Sequence, residues 1–63
     1  MDIRWTVNER RAALGRSWYS IAKETGIDLS HLLRWAKGEK ELGLGKLERV
    51  LDALGLVLAE EQP

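Results

Sequence analysis

At 63 residues the chain makes one domain at most, 1–63, and a domain of this size buries only about 60% of the surface its unfolded form exposes. It has no cysteine and a single histidine, which excludes a disulfide framework, a thiolate metal site and the multi-histidine zinc patterns. Ten Lys and Arg balance ten Asp and Glu, so a uniformly basic surface is excluded, but residues 1–40 hold eight cations against five acids and residues 41–63 two against five. A chain polarised in this way can present one basic face and turn an acidic one away, although a well-solvated surface with no partner has the same count.

The first predicted helix covers residues 3–14, with Ile3, Val7 and Leu14 at helical spacing. Asp2 can cap a start at residue 3, and Thr6 with Glu9 fits a capping box that would start the helix at residue 7. The second helix, 18–25, has Ser17 as its cap, Ile21 and Ala22 on its buried side and Gly26 at its end. The third, 29–37, follows almost at once, capped by Asp28, with Leu32, Trp35 and Ala36 on one face and Gly38 as its stop. A loop from Glu39 to Gly43 leads to the fourth helix, 44–54, whose apolar stripe is Leu44, Leu47, Val50, Leu51 and Leu54. The tail Leu56-Val57-Leu58-Ala59 is apolar and β-prone, fit for a short strand or for an arm packing on the first helix. The whole reads as an all-α, compact bundle of four to five helices.

The spacing between the second and third helices carries the most information. Two helices separated by about three residues must turn sharply, and Gly26 supplies a residue that tolerates a left-handed backbone. Ala22, one turn before it, lets the helices approach, and Ile21, Ile27, Leu32 and Trp35 fill the wedge between them. Small residue, glycine and four apolar positions together mark a helix-turn-helix over residues 17–38.

The stretch SWYSIAKETGIDLSHLLRWAKGEKELGLGKLERVLDALGL resembles the Cro-type, lambda-repressor-like helix-turn-helix domains. Ser17, Ile21, Ala22, Gly26, Ile27, Leu32, Arg34, Trp35, Gly38, Leu47 and the run Ala53-Leu54-Gly55-Leu56 carry the likeness, which covers about two-thirds of the chain, residues 17–56. The resemblance implies sequence-specific binding of double-stranded DNA by a small repressor or regulator, with the third helix in the major groove and the second bridging the backbone. The chain departs from the family at Leu29 and Leu33, where a polar residue usually faces the bases, at Trp18, where Gln or Arg is common, and at Gly43, usually a serine cap. These departures leave the implied fold intact and remove any implication about which bases are read. They also fit a designed binder on this scaffold as well as a natural regulator.

On the third helix, Arg34 points off the buried stripe, and its planar fork can donate to guanine O6 and N7 together; a solvated or phosphate-bound arginine is the plainer alternative. Leu29 and Leu33 stand one turn apart, available to thymine methyl groups, to a protein partner or, for one of them, to the edge of the core. Ser30 and His31 occupy the first turn, the end that enters the groove in this family, with Ser30 assigned to a base and His31 to the backbone. Ser17, Trp18 and Tyr19 open the second helix, whose free N–H groups can hold a phosphate, while Trp18 can instead cover the first helix. Lys37, Lys40 and Lys46, with the bare amides of Gly43 and Gly45, can grip the backbone on the other flank. Trp5 reads as a core residue closing on the fourth helix or as part of a dimer surface.

Nothing in the sequence supports catalysis. His31 has no nucleophile or carboxylate arranged around it, and Gly43-Leu44-Gly45-Lys46 is too short for a phosphate-binding loop and lacks the strand that precedes one. The expectation is therefore no enzyme activity, no cofactor, no metal and no small-molecule substrate. MDIRWTVNERR puts charge where a signal peptide needs an apolar stretch, and no apolar run reaches the roughly 20 residues of a membrane span. A natural protein of this kind is expected in the cytoplasm, at the nucleoid, as a monomer or homodimer. The alternative function is a protein-interaction module using the apolar face of Leu29 and Leu33.

Overall fold

The computed structural model describes residues 2–56, and among them it contains four α-helices and no strand. They are α1 (Ile3–Ala13), α2 (Trp18–Thr25), α3 (Leu29–Ala36) and α4 (Leu44–Ala53). The ends agree with the spacing of caps and glycines to within a residue, the usual scatter of helix boundaries. Asp2 is the cap that starts α1, its carboxylate accepting from Arg4 N at 3.0 Å. Thr6 and Glu9 lie inside the helix and do not begin it. Ser17 Oγ accepts from Ser20 N at 3.0 Å to open α2. Gly26 ends α2 at φ 76°, in the left-handed region that side-chain-bearing residues avoid, and its N–H donates to Ala22 O at 2.9 Å. The α2–α3 corner is thus the sharp turn that the sequence demands.

The helices close around Val7, Ile21, Leu32, Val50 and Leu54, all essentially without solvent exposure. Ala22, Ile27, Trp35, Leu42 and Leu51 complete the core, and Ile3, Trp18, Leu29, Ala36, Leu47 and Leu56 pack around its edge. α2 is the central element, lying against both α3 and α4, while α1 packs on α3. Ala22 is buried where α2 meets its neighbours, as a close approach requires.

Several apolar residues sit elsewhere than their spacing suggests. Leu14 is exposed, because α1 ends before it and its own position caps the helix. Leu44, at the first position of α4, is 62% exposed and does not belong to the apolar stripe, which begins at Leu47. Trp5 is 60% exposed and lines a groove between α1 and α3, so it neither enters the core nor closes on α4. Two buried positions have no sequence signal. Leu42, inside the loop before α4, inserts into the core. Thr25 is buried beside the α2–α3 turn, its hydroxyl donating to Ile21 O at 2.8 Å and accepting from Ile27 N at 3.4 Å. The predicted strand or arm lies outside the described residues apart from Leu56, which packs at the edge of the core.

Arginines fasten the helix ends to one another. The last carbonyls of a helix have no partner within it. Arg10 Nε donates to Leu54 O at 3.0 Å and Arg16 Nη1 to Ala53 O at 3.1 Å, so α1 and the α1–α2 turn both hold the end of α4. Arg49 Nη1 reaches from α4 to Thr25 O at 3.0 Å, holding the end of α2. Arg11 Nη1 donates to Arg16 O at 2.8 Å.

Candidate nucleic-acid interface

The interface residues come from three helix starts and one helix face. At the start of α3, the Asp28 carboxylate accepts from His31 N at 3.2 Å and from the hydroxyl of Ser30. These bonds to the charged form, Ser30 first and the backbone second, hold the Asp28 carboxyl below its ordinary range. Ser30 is exposed beside it, and Arg34, one turn further on, is also exposed. Leu29 and Leu33 do not project freely. Both are half-buried, Leu29 at the edge of the core and Leu33 in the wall of the α1–α3 groove. The face is therefore more polar than two projecting leucines would make it.

His31 is turned toward the loop. Its Nε2 lies 2.9 Å from Glu41 O and fastens α3 to the segment before α4. With Leu42 inserted into the core on the next residue, that bond fixes the course of the chain from Glu39 to Gly43.

The start of α2 is arranged differently. Ser17 and Tyr19 are exposed, but the indole of Trp18 is half-buried at the edge of the core, with the Arg11 guanidinium 5.0 Å above its ring. Trp18 thus packs beside α1, with its indole N–H making no hydrogen bond among the described residues. Lys23 stands 5.7 Å over the Tyr19 ring.

The start of α4 has no side-chain cap. Gly43 occupies the cap position, and only its carbonyl is engaged, accepting from Leu47 N at 2.9 Å. A Cβ on Gly43 or Gly45 would meet nothing within 4 Å, and neither has the positive φ that demands glycine. The fold does not require glycine at either position. Their bareness leaves the amides of this helix start open to anything that approaches from outside.

Apart from Lys23, over the Tyr19 ring, the cations divide into two groups. Arg4, Arg10, Arg11, Arg16 and Arg49 each make hydrogen bonds or ion pairs within the domain. The side chains of Arg34, Lys37, Lys40 and Lys46 have no hydrogen bond, ion pair or ring contact among the described residues. These four run from the exposed face of α3, through the loop, to the first turn of α4, with Glu39 and Glu41 as the acids among them. No group of three His, Cys, Asp or Glu residues among the described residues stands together as a metal site, and no described helix is long and apolar enough to cross a membrane.

Residues 7–60 match the family model for helix-turn-helix domains, and that span takes in α1 from Val7 onward and the whole of α2, α3 and α4 with the α2–α3 corner. No curated protein and no solved structure matches the chain. The match covers most of the sequence and fits the architecture around Ala22, Gly26 and Trp35. The chain belongs to the helix-turn-helix family of the Cro-type, lambda-repressor-like DNA-binding domains.

Proposed function

We propose that the domain binds double-stranded DNA sequence-specifically as a transcription regulator, with the exposed face of α3 in the major groove and the starts of α2 and α4 against the flanking phosphates. The observation that carries this reading is the division of the cations. Every arginine used to close the fold lies outside residues 34–46, while Arg34, Lys37, Lys40 and Lys46 keep their charges unpaired beside an uncapped helix start. A fold with zero net charge thus keeps a local excess of positive charge where the family docks on DNA.

The geometry supports a role for each residue within this reading. Arg34 and Ser30 address base edges, one turn apart on the exposed side of α3, and Leu29 and Leu33 contribute their exposed edges to apolar contact with thymine methyls. Lys37, Lys40 and Lys46 neutralise phosphates, and the amides around Gly43 and Gly45 bond phosphate oxygens at the positive end of α4. Ser17, Trp18 and Tyr19 offer the helix start of α2 to the opposite flank. His31 acts through the loop it holds, which sets the positions of Lys40 and Gly43. The competing reading, a protein-binding patch of Leu29 and Leu33, has little apolar surface to offer because both residues are half-buried.

The test is selection from a random duplex library followed by titration of the selected site at several salt concentrations. About five phosphate contacts give a log–log slope near −4 to −5. A recovered site with two-fold symmetry would identify a homodimer, and a single short site a monomer. Failure to enrich any sequence, or affinity that ignores salt, would refute the proposal.

A further inference from the structure

Ser30 sits in the reading face with its one proton already in use. A serine hydroxyl has one O–H to donate and two lone pairs to accept with. Here the O–H donates to Asp28 Oδ2, and the same carboxylate oxygen also accepts from His31 N. Asp28 cannot turn away without uncapping α3, because it is the cap of that helix. Its carboxylate stays ionised through the neutral range, since both bonds favour the charged form. What Ser30 shows to the outside is therefore its lone pairs, next to a second group that can only accept.

On the reading that α3 enters the major groove, we infer that Ser30 is an acceptor-only reader that selects a base carrying an amino group, cytosine through N4 or adenine through N6. Thymine O4 and guanine O6 and N7 are themselves acceptors and meet Ser30 lone pair to lone pair, with the Asp28 charge adding to the repulsion. The same polarity keeps Ser30 from serving as a phosphate contact, because a phosphate oxygen needs a donor. Arg34, one turn along the same face, has the opposite polarity and suits guanine. The pair would then define a site in which an amino-bearing base lies close to a guanine. Asp28 contributes as a positioning residue that sets the polarity of Ser30.

The test uses the intact chain, its selected duplex and the single-base variants of that duplex. Ser30→Ala is expected to weaken binding to the selected site about tenfold, the scale of one hydrogen bond, and to change binding much less where the contacted base has already been replaced. Asp28→Gly, with glycine itself an accepted helix cap, removes the side-chain acceptor and frees the Ser30 hydroxyl. It is expected to relax selectivity at that one base pair, admitting guanine or thymine. Equal loss on all duplexes for Ser30→Ala would make Ser30 a phosphate contact and overturn the inference while leaving DNA binding intact. So would unchanged selectivity in a folded Asp28→Gly variant. A separate measurement needs no DNA: by carbon-detected NMR titration, Ser30→Ala should move the Asp28 pKa up toward its ordinary value, and no movement would overturn the inference at its first step. A parent chain that binds no duplex overturns the DNA-binding reading, and the base preference falls with it.

Discussion

The two ends of α4 use positive charge in opposite ways. At its C-terminal end, Arg10 and Arg16 converge on the carbonyls of Leu54 and Ala53, and these bonds join α1 and the α1–α2 turn to the end of the bundle. At its N-terminal end, Lys46 and the neighbouring Lys40 make no bond within the described residues, and Gly43 leaves the helix start without a side-chain cap. The closed end satisfies its own backbone with its own cations. The open end holds cations and unsatisfied amides that need a partner from outside. Charge composition is the same kind of signal at both ends, so a count of basic residues cannot separate a structural arginine from a ligand-binding lysine.

Mutations can break this contrast, and the largest effect is expected where both ends depend on the same core. Ala22→Leu forces three extra side-chain carbons into the packing of α2 against its neighbours, and overpacking of this kind costs about 1–3 kcal/mol. That is a large share of the stability of so small a domain. A thermal melt should show a strongly lowered Tm, and an unchanged one would mean that α2 is not closely packed at Ala22.

Arg34→Ala tests the open side directly. It should cost about 1–3 kcal/mol of binding to a site with guanine at the contacted position and much less to sites with another base there, with the melt unchanged. Equal loss across all single-base variants would make Arg34 a phosphate contact. Arg10→Ala should do the reverse. Losing its bond to the part-buried Leu54 carbonyl should lower stability by about 1 kcal/mol while leaving the salt slope of DNA binding as it was. A lowered slope would place Arg10 among the DNA contacts and erase the contrast.

Gly45→Ala sharpens the contrast within one residue. Alanine is the better helix former by about 0.5–1 kcal/mol, and a Cβ here meets nothing in the protein, so the variant should melt higher. If the bare amides meet a phosphate, the same variant should bind DNA more weakly. Higher stability with undiminished binding would remove Gly45 from the interface.

The smallest effect concerns the cap of α3. The folded-state pKa of Asp28 is depressed, so its contribution to stability is present above the unfolded-state value and is lost as pH falls through the folded value. An acid titration followed by circular dichroism should show a decline in stability on the acid side that is smaller in Asp28→Asn. Identical acid profiles would mean that the Asp28 bonds contribute nothing to the fold.

The helix starts and the α2–α3 turn were legible because they rest on local chemistry. Asp2, Ser17 and Asp28 are short acceptors placed before apolar-periodic runs, and each forms the cap its position suggests. Spacing alone was a poorer guide near helix ends. Leu14 and Leu44 fit the period but stand in the last and first turns, where the helix has already left the core. Trp5 and Trp18 show why aromatic residues are hard to place by pattern. Both are large enough to lie across a neighbouring helix, and which one does so depends on Arg11 and on the course of α1. Leu42 is isolated between Glu41 and Gly43, and only the path of the loop takes it inward.

The sequence by itself determined the order and bounds of the four described helices, the sharp turn at Gly26 and the family, because caps, glycines and apolar periodicity act over three or four residues. The tertiary structure alone decided which cations are free. Arg10 meets Leu54 and Arg16 meets Ala53 across more than thirty residues, and Arg49 meets Thr25 across more than twenty, contacts that no local pattern encodes. An arginine is long enough to cross between helices, so its function depends on which carbonyl the packing brings within reach. The same dependence fixed the direction of His31, whose partner Glu41 is brought to it by the loop.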